Sequence, residues 1–166
     1  MFYFAYGSNM MAPQMQRRCP GAQLLGPGVL RHWQFSITTR GTANIVPSEG
    51  AEVFGVLWKC TPLHLWRLDR FEGAHFGNYL QKVMRVESLH HNKHVSARIY
   101  VSLSRFYPGK GRVDYLNRAV LPGARSGGLP EPYLRELESW MPRKPIGLGD
   151  RHYRSRLRSL RSHRKN

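Results

Sequence analysis

The sequence predicts an α+β fold in which a small mixed β-barrel or strongly curved sheet is flanked by helices. Its strand-like segments, rich in β-branched and aromatic residues, do not alternate regularly with helices, which argues against a doubly wound sheet. The helical segments are few, short and amphipathic. With 166 residues, of which 41% are apolar, the chain is long enough to bury one substantial core.

The first half of the chain is dominated by predicted strands. They cover residues 1–6, 24–39, 43–47 and 52–60, and the second of them begins with a Gly-Pro-Gly turn. A short helix is expected over residues 13–18. Gly55, inside the fourth strand, indicates either a β-bulge or a close approach of another backbone.

A helix is predicted to follow the fourth strand, where the apolar period changes. Thr61 is a good N-cap and Pro62 suits the first helical position. Leu65, Leu68 and Phe71 can share one apolar face. We expect Gly73 to end this helix.

The second half begins with two strands, over residues 79–89 and 95–103, separated by "HHNKH". In the latter strand, alternate residues from Val95 to Val101 are expected to point inward. A helix over residues 113–120 should be broken by "PGARSGGLP", and another should cover 130–140 with Leu134 and Leu137 inward. We expect one domain over residues 1–145 and a basic tail over residues 146–166.

Charge is the most unusual feature of the composition. The formal net charge is +16, and residues 151–166 contain seven Lys or Arg and no acidic residue. Such a segment can be a solvated tail, or it can bind an anionic partner such as nucleic acid weakly through counterion release. No apolar window is long enough for a membrane span, and the N-terminus lacks the pattern of a signal peptide. The two cysteines, Cys19 and Cys60, stand alone, which fits a reducing cytoplasm.

Few residue patterns point to chemistry. The histidines of "HHNKH" (90–94) have a spacing that binds zinc on a helix, but here they fall between strands with no acid or cysteine nearby, so a loop is favoured. No GxSxG elbow or phosphate-binding loop is present.

Two features remain as candidates. Glu72, at the end of an apolar helix, is either an ordinary surface glutamate or a base whose pKa is raised by apolar surroundings. In "AYGSN" (5–9), the amides of Gly7, Ser8 and Asn9 can form an anion-binding concavity, or Ser8 or Asn9 can simply cap the next helix. The two interpretations of this stretch are compatible.

Three separated motifs together resemble a known family. "YFAYGSNM" (3–10), "LDRFEG" (68–73) with Tyr79 following, and "DYLNRAVLPGARSGGLPEPYLREL" (114–137) stand in the order found in the γ-glutamyl cyclotransferases of the AIG2-like superfamily. The strand "EVFGVLWKC" (52–60) is also similar. The resemblance covers about residues 1–140.

The resemblance implies a β-barrel flanked by helices and the conversion of a γ-glutamyl amino acid or dipeptide into 5-oxoproline and a free amine, without cofactor or metal. It assigns Glu72 as general acid/base and Tyr115 as a substrate contact from a later helix. Leu65, Leu68 and Phe71 would form an apolar surface beside Glu72 that excludes water. The remaining substrate contacts would come from Tyr3, Phe4, Ala5, Tyr6, Gly7, Ser8 and Asn9.

Two other functions stay open from the sequence. A γ-glutamylamine cyclotransferase would release the lysine side chain of a degraded cross-link, or another amine. A non-catalytic binding module would keep the pocket only for packing and use its basic tail on nucleic acid. The oligomeric state, monomer or homodimer, is not determined by any pattern in the chain.

Overall fold

The computed structural model describes residues 1–71, 79–103, 109 and 112–141 of the chain. Five strands close into a barrel with the order β1-β3-β2-β4-β5. They are β1 (Phe2–Ala5), β2 (Gln23–Ile37), β3 (Ala43–Lys59), β4 (Tyr79–Ser88) and β5 (Lys93–Ser102). The predicted α+β barrel is therefore confirmed. Glu72, Gly73 and the predicted tail over residues 146–166 lie outside the described residues.

Most of the strand pairing is antiparallel. β2 and β3 form a long hairpin that curls through the barrel, β4 and β5 form another, and β1 pairs with β3. The exception is β1 with β5, which pair in parallel over Phe2 and Tyr3. β2 meets β4 only at Gly28 and Val29.

The long hairpin corrects two of the sequence predictions. The segments predicted as separate strands, 43–47 and 52–60, belong to the single strand β3. The Gly-Pro-Gly stretch is not a turn, because it lies within β2. The pairing slips between Leu24 and Gly26, and Gly26 has φ +111. The glycine thus permits a bulge that bends β2, where the sequence suggested that the strand begins.

Gly55 marks a close backbone approach, one of its two predicted roles. A Cβ at this position would lie 2.3 Å from the Ala5 carbonyl oxygen and 2.7 Å from the Phe4 ring. Any side chain here would push β1 away from β3.

The helices pack around the barrel. They are α1 (Ala12–Arg18), α2 (Pro62–Phe71), α3 (Val113–Tyr115), α4 (Leu121–Ser126) and α5 (Glu131–Ser139), with a 3₁₀ turn over Ser8–Met10. A π-helical segment, Leu116–Val120, joins α3 to α4. The prediction that "PGARSGGLP" breaks the helix is thus wrong for the first residues of this stretch. Pro122 falls in the first turn of α4, where the missing N–H of a proline is tolerated.

The expected helix faces are largely confirmed. Thr61 Oγ1 accepts the His64 N–H at 3.2 Å, as an N-cap should. Leu65 and Leu68 are buried, as are Leu134 and Leu137. Phe71 is the exception: its side chain is 58% exposed, so it does not form part of an apolar surface that excludes water. The Arg18 guanidinium covers its ring instead, at 5.2 Å from the centroid.

The apolar core fills the barrel and the space beneath the helices. Its largest fully buried side chains include Trp58, Phe35 and Met15. In β5, Ala97, Ile99 and Val101 point inward as the alternation predicts. No helix in the described part of the chain is both long and apolar enough to cross a membrane.

Candidate functional site

A small cavity opens where β1 ends and the chain turns into the 3₁₀ helix. It contains about 350 Å³ of unfilled space, including the part that is open to solvent. Five of the nine described residues around it are tyrosines, so its wall is largely aromatic with hydroxyl groups at intervals. The lining residues are Tyr3, Tyr6, Gly7, Ser8, Asn9, Ala43, Tyr79, Tyr100 and Tyr115.

The structure brings together most of the residues predicted to bind substrate. From the N-terminal motif, Tyr3, Tyr6, Gly7, Ser8 and Asn9 line the cavity, and Tyr115 reaches it from α3. The other two predicted contacts do not line it, because Phe4 and Ala5 are buried against β3 next to Gly55. The substrate-binding roles of all these residues remain predictions.

Gly7 and Tyr115 depend on one another. The Tyr115 hydroxyl accepts the backbone N–H of Ser8 at 3.3 Å and that of Ala43 at 3.4 Å. A Cβ on Gly7 would lie 2.9 Å from that hydroxyl and 3.1 Å from the Ala43 Cβ. The glycine is therefore needed so that the tyrosine can tie the turn to the start of β3.

Asn9 stabilises the wall of the cavity and does not cap a helix. The N-cap of α1 is Met11, and no side chain bonds to that helix end. The Asn9 side chain, almost completely buried, donates to the Tyr3 hydroxyl at 2.8 Å and accepts from Arg18 Nη1 at 2.7 Å. The helix-cap interpretation of "YGSN" is thus wrong for Asn9, and for Ser8 as well, since no side-chain cap is present at either helix start.

The sequence did not single out Tyr100 or Asp69, which connect the cavity to α2. The Tyr100 hydroxyl donates to Asp69 Oδ1 at 2.5 Å, and Arg98 Nη1 approaches Asp69 Oδ2 at 3.3 Å. Only 15% of the Asp69 side chain is exposed. Burial, and next the bond to this carboxylate, raise the pKa of the Tyr100 hydroxyl well above its usual value. Tyr100 is therefore a neutral, fixed wall of the cavity.

The alternation of apolar residues in β5 did not predict that Tyr100 is buried. It falls between the inward-pointing residues of β5, on the face that a half-buried strand would expose to water. Here α2 covers that face, and Tyr100 is buried with its ring edge-on to Tyr3 at 5.8 Å between centroids. For Asp69, the one available signal was its place in the motif "LDRFEG", three residues before Glu72 in the sequence.

Two further tyrosines complete the wall. The Tyr6 hydroxyl donates to the Tyr100 carbonyl oxygen. The Tyr79 hydroxyl lies 3.3 Å from Thr42 Oγ1, which is in the loop between β2 and β3. Each cavity tyrosine is thus bonded to another part of the fold, so that the shape of the cavity is fixed before any ligand enters.

The other candidate groups do not form sites. His90 and His91 lie in the turn between β4 and β5, as the loop interpretation predicts. Within the described residues, no three His, Cys, Asp or Glu side chains come together as metal ligands. Cys19 and Cys60 are free and buried, and burial raises the pKa of both thiols, that of Cys60 to about 12.

Fold and site together define a class: an α+β barrel protein with a tyrosine-walled cavity where β1 ends. The sequence model of the AIG2-like family matches residues 52–137, and the chain belongs to that family.

Relatives and solved structures agree with this assignment. A bovine protein named gamma-glutamylcyclotransferase is 29% identical over 150 residues, covering 84% of this chain and 78% of its own. The human protein of that name is 28% identical over 155 residues, covering 87% of this chain and 81% of its own. A solved structure named gamma-glutamyl cyclotransferase superposes with a TM-score of 0.79 at 25% identity, covering 96% of this chain and 98% of that one.

Proposed function

We propose that this protein is a γ-glutamylcyclotransferase, which converts γ-glutamyl amino acids or dipeptides into 5-oxoproline and a free amine. The observation that carries the proposal is the tyrosine-walled cavity at the "YGSN" turn, in a family whose similar members bear that name. The cavity wall combines aromatic surface with a few hydroxyl and backbone groups, which is the composition typical of small-ligand sites.

In this reaction the substrate supplies its own nucleophile. The α-amine attacks the γ-carbonyl carbon of the same glutamyl group, a five-membered lactam forms, and the bond to the leaving amine breaks. Holding the glutamyl chain curled, with the amine against the carbonyl, can lower the barrier by about 7 kcal/mol or more. The aromatic wall formed by Tyr3, Tyr6 and Tyr115 supports this role, because each of these side chains is held in place by a hydrogen bond.

The reaction also requires one group that accepts and returns a proton. The α-ammonium must lose a proton before it attacks, and the leaving nitrogen must gain one before it departs. Glu72 is proposed for both steps, and such a group typically contributes about 10²- to 10⁴-fold. It directly follows Phe71, the last described residue of α2. The final turn of that helix is held to the cavity wall by the bond between Asp69 and Tyr100.

The test is Glu72→Gln, which keeps the size of the side chain and removes its basicity. We expect kcat for 5-oxoproline release to fall at least about 100-fold with an unchanged Tm. The matched control is Glu138→Gln on α5, whose carboxylate pairs with Arg125 on the surface and whose loss should leave kcat unchanged. Full turnover by Glu72→Gln would contradict the mechanism.

The substrate class needs a panel. γ-Glutamyl-alanine, glutathione and γ-glutamyl-ε-lysine should each be incubated with the protein, and 5-oxoproline measured by chromatography. Release from the first two is expected. Release from the lysine conjugate alone would indicate a γ-glutamylamine cyclotransferase, and release from none would favour a non-catalytic binding module.

A further inference from the structure

A second depression, larger than the cavity, lies on the outer side of α1 and α2. It contains about 800 Å³ of unfilled space open to solvent. Four arginines and two aromatic residues line it, and no acidic residue is among the described lining residues. We call it the arginine groove; its residues are Arg17, Arg18, Trp66, Arg67, Arg70 and Phe71.

Three of the four groove arginines lack an ion-pair partner in the described part of the chain. Among the described residues, no carboxylate forms an ion pair with Arg17, Arg67 or Arg70, whereas several arginines elsewhere in the fold are each paired with an acid. Those paired arginines are Arg31, Arg98, Arg118, Arg125 and Arg135. Clustered cations of this kind repel one another and raise the local concentration of anions, so a ligand with negative charge is favoured here.

The aromatic side chains of the groove are unusually exposed. Trp66 is 49% and Phe71 58% exposed. Arg70 lies over the Trp66 ring at 5.1 Å and Arg18 over the Phe71 ring at 5.2 Å. These contacts hold flat apolar surfaces beside the charges, where planar groups such as peptide bonds can pack.

Arg18 connects the groove with the cavity. Its guanidinium lies over Phe71 in the groove, and its Nη1 donates at 2.7 Å to Asn9 Oδ1 in the cavity wall. Arg18 does not itself line the cavity, so the buried Asn9 side chain is the partition between the two depressions at this point. A ligand that reached out of the cavity over this partition would meet Arg18 first and the other arginines next.

We propose that the arginine groove binds the leaving-group side of the substrate, and that the preferred substrates are γ-glutamyl peptides with acidic residues after the γ-glutamyl bond. This inference rests on the proposed cyclotransferase function. Carboxylates on the leaving peptide would pair with Arg67 and Arg70, and its peptide planes would pack on Trp66. A polynucleotide could use the same charges, but only the Asn9–Arg18 contact separates the groove from the cavity, and this closeness favours an occupant that continues from the cavity.

The first arm of the test compares two substrates that differ only in charge. Both are γ-glutamyl-alanyl peptides amidated at the C-terminus, one ending in two aspartates and the other in two asparagines. We expect kcat/KM for the wild type to be about tenfold higher with the acidic peptide. Arg67→Gln and Arg70→Gln should each lower this ratio about threefold, and about 0.5 M salt should lower it further by screening.

The matched control is Arg135→Gln, which removes one exposed arginine of α5 that is paired with Glu131. It changes the net charge equally and should leave the ratio unchanged. The inference would be overturned if the wild type had similar kcat/KM values for the two peptides. It would also be overturned if Arg67→Gln, Arg70→Gln and Arg135→Gln lowered the ratio of these values equally. Either result would leave the cyclotransferase function standing.

The second arm measures binding without turnover. In the Glu72→Gln background, calorimetry should give a Kd about tenfold lower for the acidic peptide, and Arg67→Gln with Arg70→Gln should abolish the difference. Equal Kd values, or groove-dependent binding of a uridine decanucleotide but not of the acidic peptide, would overturn the inference. In a different outcome, the wild type cleaves neither peptide and still binds the acidic peptide more tightly than the neutral one. That result would contradict the proposed reaction and would leave the assignment of the groove standing.

Discussion

Substitution of Gly7 by alanine tests whether the cavity depends on the contact with Tyr115. The new Cβ would lie 2.9 Å from the Tyr115 hydroxyl and 3.1 Å from the Ala43 Cβ, closer than ordinary contacts. Gly7 has φ −122, outside the left-handed region that favours glycine, so the cost comes from overpacking. Such overpacking costs about 2 kcal/mol, which corresponds to a fall in Tm of roughly 4–8 °C for a chain of this length.

Tyr115→Phe removes the hydroxyl that the new methyl group would strike. Alone, it leaves the backbone N–H groups of Ser8 and Ala43 without that acceptor, at a cost of about 1–2 kcal/mol. In the double variant the clash is relieved, so the two costs should not add. We expect an interaction free energy of about 1 kcal/mol in the stabilising direction, from urea unfolding of the four proteins of the cycle.

The control for this cycle is Gly50→Ala, inside β3 where its pairing with β2 shifts register. Gly50 has φ +74, and a Cβ on it would have nothing within 4 Å, so the cost of the substitution is conformational strain and is independent of Tyr115. Its effect should add to that of Tyr115→Phe. Additive free energies in the Gly7 cycle would refute the claim that glycine is required for the approach of Tyr115.

Two further substitutions test the polar network and the buried thiols. Asp69→Asn should lower the free energy of unfolding by about 2 kcal/mol, because it leaves the partly buried Arg98 without its counter-charge. Asp114→Asn, which breaks the exposed pair with Arg118, should lower it by less than about 0.5 kcal/mol. Equal losses in the two variants would contradict the burial argument. Burial, and then the nearby Cys19, raise the pKa of Cys60 from 9.0 to about 12, so the native state favours the thiol. The stability that the protonated thiol contributes is complete below about pH 9 and is lost as the pH rises towards 12. In urea unfolding, the free-energy difference between wild type and Cys60→Ala should therefore shrink across this pH range. A difference that stays constant would be evidence against the raised pKa.

The sequence was informative wherever one local pattern decided the outcome. Thr61 and Pro62 start α2 as their capping chemistry predicts, and the alternation in β5 places Ala97 and Ile99 in the core. The "YGSN" motif lines a cavity because glycine at position 7 allows close contacts there. These features depend on short-range sterics and hydrogen bonding, which the residues themselves encode.

The predictions failed where a distant element changed the environment. Phe71 belongs to the apolar period of α2 but is exposed, and the described group that covers its ring is the Arg18 guanidinium of α1. Tyr100 lies on the face of β5 that alternation assigns to water, yet α2 buries it. Asp69 looks like a surface acid until Arg98 and Tyr100 converge on it. Such contacts join residues far apart in the chain, and no local pattern specifies them.

The barrel is joined unevenly around its circumference, and this determines where it opens. The β4–β5 hairpin is held internally by ten residue pairs, but the described residues show only two pairs with β1 on one side and two with β2 on the other. The hairpin should therefore separate from the barrel as a unit, with faster amide hydrogen exchange along both thin seams than along the thirteen-pair β2–β3 ladder. Because Tyr79 and Tyr100 belong to this hairpin, we expect each separation to widen the cavity, and we expect the hydrogen bond from Tyr100 to Asp69 to oppose it.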